Sequence, residues 1–248
     1  MKKRICIFLI VVFTIIAFWD EPVDKSEMQK DGNSCAVCYL LNVDGMKGLG
    51  HAAFMLLDEH GSGTVYSYNG MQYSLLECLA GKAGVGKMKV FFLSSDEVTV
   101  FLDTGRLQVE DTAECDNFDR MLYRYISRED YEKIQEGTKR YIEIGTEFES
   151  IYAAVIKAGG EEKILAEERM KEFLSQEGLL KYQIYKYNCD TVARELIALV
   201  DKDMREYNAE HERLTPTGNY IGMCRALSEE WGAQKLGEDT LWEKVLWR

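Results

Sequence analysis

Two apolar-rich runs, HAAFMLLD at 51–58 and TVYSYNG at 64–70, flank the turn-forming residues EHGSG. A chain that turns through glycines between two strand-like runs forms a β-hairpin. A hairpin alone is marginal in water, so it must find further strands or helices to pack on. The rest of the chain supplies both. CAVCYLLNV (35–43), KMKVFFLS (87–94) and DRMLYRYI (119–126) read as strands. YSLLECLAGK reads as a short helix, and SDEVTVFLDTGRL as a helix opened by Ser95. Ser127-Arg-Glu-Asp130 is a capping box with Asp in place of Glu, and the helix after it carries Tyr131, Ile134, Tyr141 and Phe148 at helical spacing. A charged helix over 161–177, a polar loop over 214–220 and a C-terminal helix with Trp231 complete the reading. Strands and helices mix without βαβ regularity. The expected class is therefore α+β, with a small antiparallel sheet packed on helices.

One stretch carries more than architecture. In KYQIYKYNCDTVAREL (181–196), Ile184, Tyr185 and Tyr187 belong to a period-two, extended pattern. Val192, Ala193, Leu196, Leu199 and Val200 then follow at spacings of three and four. The period changes at Asn188-Cys189-Asp190, so an extended segment turns into a helix there. A cysteine on the first helical turn sits among free N–H groups and partial positive charge, which favour a thiolate. Equally, Cys is a small apolar residue, and most are buried and inert. A base elsewhere in the chain decides between the two readings.

The chain has three histidines. His60 lies in the hairpin turn and His211 in the charged segment YNAEHERL. His51 opens the first hairpin strand directly after Gly48-Leu49-Gly50, and glycines allow close approach of backbone or substrate. Antiparallel pairing brings residues 67–70 beside His51. Ser67 and Asn69 share one face of that strand, Tyr66 and Tyr68 the other. Either Ser67 or Asn69 is a candidate to orient the imidazole.

Charge and cysteines bound the rest. A net charge of −12 argues against a nucleic-acid partner. Cys35 and Cys38 have C-x-x-C spacing, but no second pair or nearby His completes a zinc site. In a strand their side chains point to opposite faces, which argues against a local disulfide. At the N-terminus, Lys2-Lys3-Arg4 precede an apolar run from Ile5 to Trp19, and Asp20 and Glu21 follow. This pattern reads as a signal peptide or membrane anchor over 1–19. No small-residue cleavage site follows, so the residues favour an uncleaved anchor. The expected organisation is that segment, a polar tether over 20–34 and a single domain over 35–248. The basic end stays cytoplasmic and the domain is exported, or it is secreted if the segment is cleaved.

GHAAFMLL…YSYNG followed by YKYNCDTVAREL resembles the circularly permuted NlpC/P60-like papain superfamily, including lecithin retinol acyltransferase-like and PPPDE-type proteins. In those the His precedes the Cys in the chain. The His starts one strand of a small sheet, and an Asn-Cys pair begins the packed helix. The resemblance spans roughly 35–200, and its specific part is Gly50-His51 and Asn188-Cys189. It implies a permuted papain-like domain with Cys189 as nucleophile and His51 as base, and no metal or organic cofactor. Tyr185, Tyr187, Asn188 and Gly50 would line the cleft. Many relatives carry a second His on the neighbouring strand, and this chain has none at 64–70. The substrate implied is an amide in a peptide or cell-wall peptide. The alternatives are an acyl lipid, or a catalytically inert interaction module of the same fold.

Overall fold

The computed structural model describes residues 28, 34–45, 50–71, 77, 80–107, 116–176, 179, 181–184, 186–210 and 215–237. The seven-stranded sheet contains β1 (Cys35–Asn42), β2 (His51–Leu57), β3 (Gly63–Gly70), β4 (Gly84–Leu93), β7 (Arg120–Ile126), β8 (Lys181–Tyr182) and β9 (Gly232–Lys235), in the order β8-β4-β3-β2-β1-β7-β9. Every neighbouring pair is antiparallel. A two-stranded ribbon, β5 (Arg106–Leu107) with β6 (Asp116–Asn117), stands apart. The helices among the described residues are α1 (Ser95–Thr104), α2 (Arg128–Lys157), α3 (Gly160–Ser175), α4 (Cys189–Ile197), α5 (Lys202–Glu210) and α6 (Pro216–Ala226). The class is α+β, and the sheet is larger than the hairpin reading anticipated.

Both faces of the sheet are covered, and alternation along the strands sorts the residues. Val37, Tyr39 and Leu41 of β1 and Ala52, Phe54 and Leu56 of β2 join a cluster with α2, α4, α5 and α6. Cys38 and Leu40, with Ala53, Met55 and Leu57, face the other way, against Val98 and Phe101 of α1. Each such large side chain contributes about 1.5–3 kcal/mol on burial. The same alternation puts Cys35 in the first cluster and Cys38 in the second, both as free thiols. Burial pushes the Cys38 thiol up.

The hairpin forms as expected: Phe54 pairs with Tyr66 and Leu57 with Gly63. Other expectations shift. The cap of α1 is Ser94, not Ser95. Its hydroxyl accepts from the Glu97 N–H while the Glu97 carboxylate accepts from the Ser94 N–H, and Gly105 at φ 66° ends the helix. The stretch 181–187 is not one extended segment. β8 is two residues long, and the chain folds back so that the Gln183 N–H reaches the Tyr187 carbonyl at 2.7 Å. The expected polar loop at 214–220 is mostly the start of α6. Thr215 caps it and Pro216 occupies its first turn, where Pro loses no hydrogen bond. Trp231 leads into β9 and is not helical. No described helix is long and apolar enough to cross a membrane. The run 5–19 and most of the expected helix at 73–82 lie outside the described residues.

Residues 20–34 are also mostly outside the described residues, but Met28 is not. Its N–H donates to Gln234 Oε1 at 3.0 Å, and its side chain packs on the α1-side cluster. The 30 residues of α2 extend about 45 Å, longer than any strand of the sheet. Its second half pairs with α3 around Phe148, Ile151 and Phe173.

Candidate active site

His51 is the first residue of β2. The turn before it is set by Gly50, at φ 88°, whose N–H donates to the Gly45 carbonyl. Gly50 also lies flush against α6: a Cβ there would come within 2.8 Å of Thr217 Oγ1. The His51 ring is 7% exposed, and its Nε2 lies 2.9 Å from Ser67 Oγ. Asn69 Nδ2 donates to the same oxygen at 3.0 Å. The two residues that the sequence left as equal candidates therefore act in series, Ser67 on the imidazole and Asn69 on Ser67. A hydroxyl oxygen accepts twice. Ser67 can take both the Asn69 N–H and an Nε2–H, and in that tautomer Nδ1 is the basic nitrogen.

Cys189 begins α4, where the sequence placed it. Asn188 caps the helix, its side-chain oxygen accepting from the N–H groups of Asp190 and Thr191 at 3.0 and 3.1 Å. The Asn188 amide donates to the Ile184 carbonyl at 2.8 Å, which ties the cap to the preceding turn. Cys189 is 1% exposed. Tyr187 is half-buried, with its hydroxyl 2.7 Å from that of Tyr141 and its ring edge-on to Tyr68. Tyr185 lies outside the described residues.

The residue after the cysteine is the most heavily bonded group here. Asp190 accepts from the Tyr39 hydroxyl at 2.5 Å, from Arg194 Nε and Nη2 at 3.1 and 3.0 Å, and from Asn219 Nδ2 at 2.7 Å. Arg194 also donates to Asn208 Oδ1 through Nη1. Asp190 and Arg194 are both buried. Burial, and next the Asp190 charge, hold the Tyr39 phenol well above its ordinary range. Sequence reasoning did not find this network. Its one local signal was an Asp and an Arg four apart on the helix.

His51 and Cys189 are linked through their neighbours by α6. The opening turn of α6 abuts Gly50, and Asn219 on the same helix bonds Asp190. They differ in strand parity. Ala52, next to His51, belongs to the α4-side cluster, so His51 is in step with Ala53 and Met55 and its side chain leaves β2 on the other side, as does Ser67. The structure thus gathers His51, Ser67 and Asn69 into one chain of hydrogen bonds. It gathers Asn188, Asp190, Tyr39, Arg194 and Asn219 into another around Cys189.

Among the described residues no group of three or more His, Cys, Asp or Glu side chains could hold a metal ion. In comparisons with known proteins, no family model, no curated protein and no solved structure matches the chain.

Proposed function

We propose that this protein is a thiol hydrolase that cleaves an amide bond in a peptide or cell-wall peptide, with Cys189 as nucleophile and His51 as base. One observation carries the reading: the opening turn of α6 links an imidazole braced by Ser67 and Asn69 to an Asn-capped, helix-start cysteine, abutting Gly50 through Thr217 and bonding Asp190 through Asn219. His51 takes the thiol proton, and the Cys189 sulfur attacks the carbonyl carbon. The proton then goes to the leaving amine, and water cleaves the resulting thioester. Asn188 takes the N–H groups of Asp190 and Thr191, not that of Cys189, and the Cys189 N–H is the donor assigned to the oxyanion. The apolar run 5–19 would hold the exported domain at a membrane. An acyl lipid as substrate would use the same residues, and product analysis separates the two.

Parity and burial favour a second reading, an inert interaction module. His51 leaves β2 on the side away from α4, and Cys189 is 1% exposed. Iodoacetamide at mildly acidic pH distinguishes the readings, with labelling at Cys189 followed by mass spectrometry. The hydrolase requires Cys189 to label faster than an ordinary thiol, and Cys189→Ala to abolish release of peptide from peptidoglycan fragments. Labelling only after unfolding, with no release by the wild type, leaves the module.

A further inference from the structure

Asp190 places a negative charge one residue from the candidate nucleophile. Such a charge opposes a thiolate. Arg194, one turn along α4, meets the same carboxylate oxygen with two N–H groups, and the pair is buried. Low-dielectric surroundings make both the charge and its cancellation count for more than they would in water. Asp190 is further held from two elements, by Tyr39 of β1 and Asn219 of α6.

We propose that Arg194 and Asp190 are positioning residues that set the acidity of the Cys189 thiol, Asp190 by fixing the first turn of α4 against β1 and α6, and Arg194 by cancelling the Asp190 charge. The proposal rests on Cys189 being the reactive thiol, and it goes beyond the Cys-His pair. The other titratable groups brought near by the packed elements are Tyr39 from β1, His51 at the start of β2, Tyr68 from β3, Tyr141 from α2, Tyr207 from α5, whose hydroxyl donates to Asn219, Tyr220 from α6, Tyr187 just before α4 and the exposed Glu195 within α4. Asn208 of α5 and Asn219 of α6 are neutral. Of these groups, Asp190 and Arg194 alone form a buried ion pair on the helix that carries the thiol.

The test titrates the thiolate by its ultraviolet absorbance, as the difference between each protein and its Cys189→Ala counterpart. Arg194→Met should raise the Cys189 midpoint by about one pH unit, a tenfold loss of thiolate near neutrality. Asp190→Asn should lower it, and Arg194→Lys should restore most of the wild-type value. A purely structural pair would lower the melting temperature and leave the midpoint where it was. If Arg194→Met does not fold, the isosteric Asp190→Asn decides alone, and an unchanged midpoint there overturns the proposal. No substrate enters the measurement, so the outcomes separate. Shifted midpoints without turnover remove the hydrolase and keep the coupling. Turnover with unshifted midpoints removes the coupling and keeps the hydrolase.

Discussion

Helices α3 and α4 carry similar kinds of residue and meet opposite fates. α4 has nine residues, eight of them buried, including Asp190, Thr191 and Arg194. α3 has sixteen residues, of which Phe173 alone is buried, while Ile164 and Leu165 stand exposed. Composition does not explain this, because two charged residues, Asp190 and Arg194, are inside in one helix while two aliphatic ones, Ile164 and Leu165, are outside in the other. Position does. α4 lies across β1, β2 and β3 beneath α2, α5 and α6, so all but Glu195 is covered and the charges of Asp190 and Arg194 must be paired in place. α3 packs on the second half of α2 through Phe173, and among the described residues nothing buries Ile164 or Leu165 in its first two turns.

The sharpest way to break the contrast is Arg194→Ala. It leaves Asp190 buried with its main charge partner gone, which costs about 3–5 kcal/mol. Denaturant unfolding would measure it, and a loss under about 1 kcal/mol would mean that Asp190 is not a buried charge that depends on Arg194. At the other pole, replacing both Ile164 and Leu165 by Ala should change stability by no more than about 0.5 kcal/mol per site. A much larger loss in the same assay would show that α3 has a packed face after all.

The smallest effect compares helix starts. α4 opens with a buried Asn, whereas α1 opens with an exposed capping box in which Ser94 holds the Glu97 carboxyl below its usual range, first through the hydroxyl and then through the N–H. A lowered carboxyl pKa stabilises the fold above the ordinary Glu range, and that contribution is lost as pH falls through the folded value. Glu97→Gln should therefore melt slightly below wild type at neutral pH, and the gap should close on acidification. A gap that persists in acid would assign the difference to something other than the carboxylate.

Much of the site was legible because its parts are local. A glycine-containing turn between two apolar-rich runs predicts the hairpin, and antiparallel pairing alone brings 67–70 beside His51. The change of period at Asn188-Cys189 predicts the start of α4, and the structure adds the Asn188 cap. Other features were misread where a local signal was present but outweighed. Thr215-Pro216 is a helix start, yet the Gly and Asn after it suggested a loop. Tyr185 and Tyr187 alternate with polar residues as a strand would, yet the chain turns back between Gln183 and Tyr187.

The amino-acid sequence by itself determined the α+β class, the hairpin with Ser67 and Asn69 beside His51, and Cys189 at a helix start. These follow from period and turn chemistry, which act over a few residues. Tertiary structure alone decided the rest. Asp190 gathers Tyr39, Arg194 and Asn219, from positions as far as 151 residues away. Strand parity sends His51 off one side of β2 while α4 packs on the other. Both depend on which faces the whole sheet has left to cover, and no short stretch of sequence carries that information.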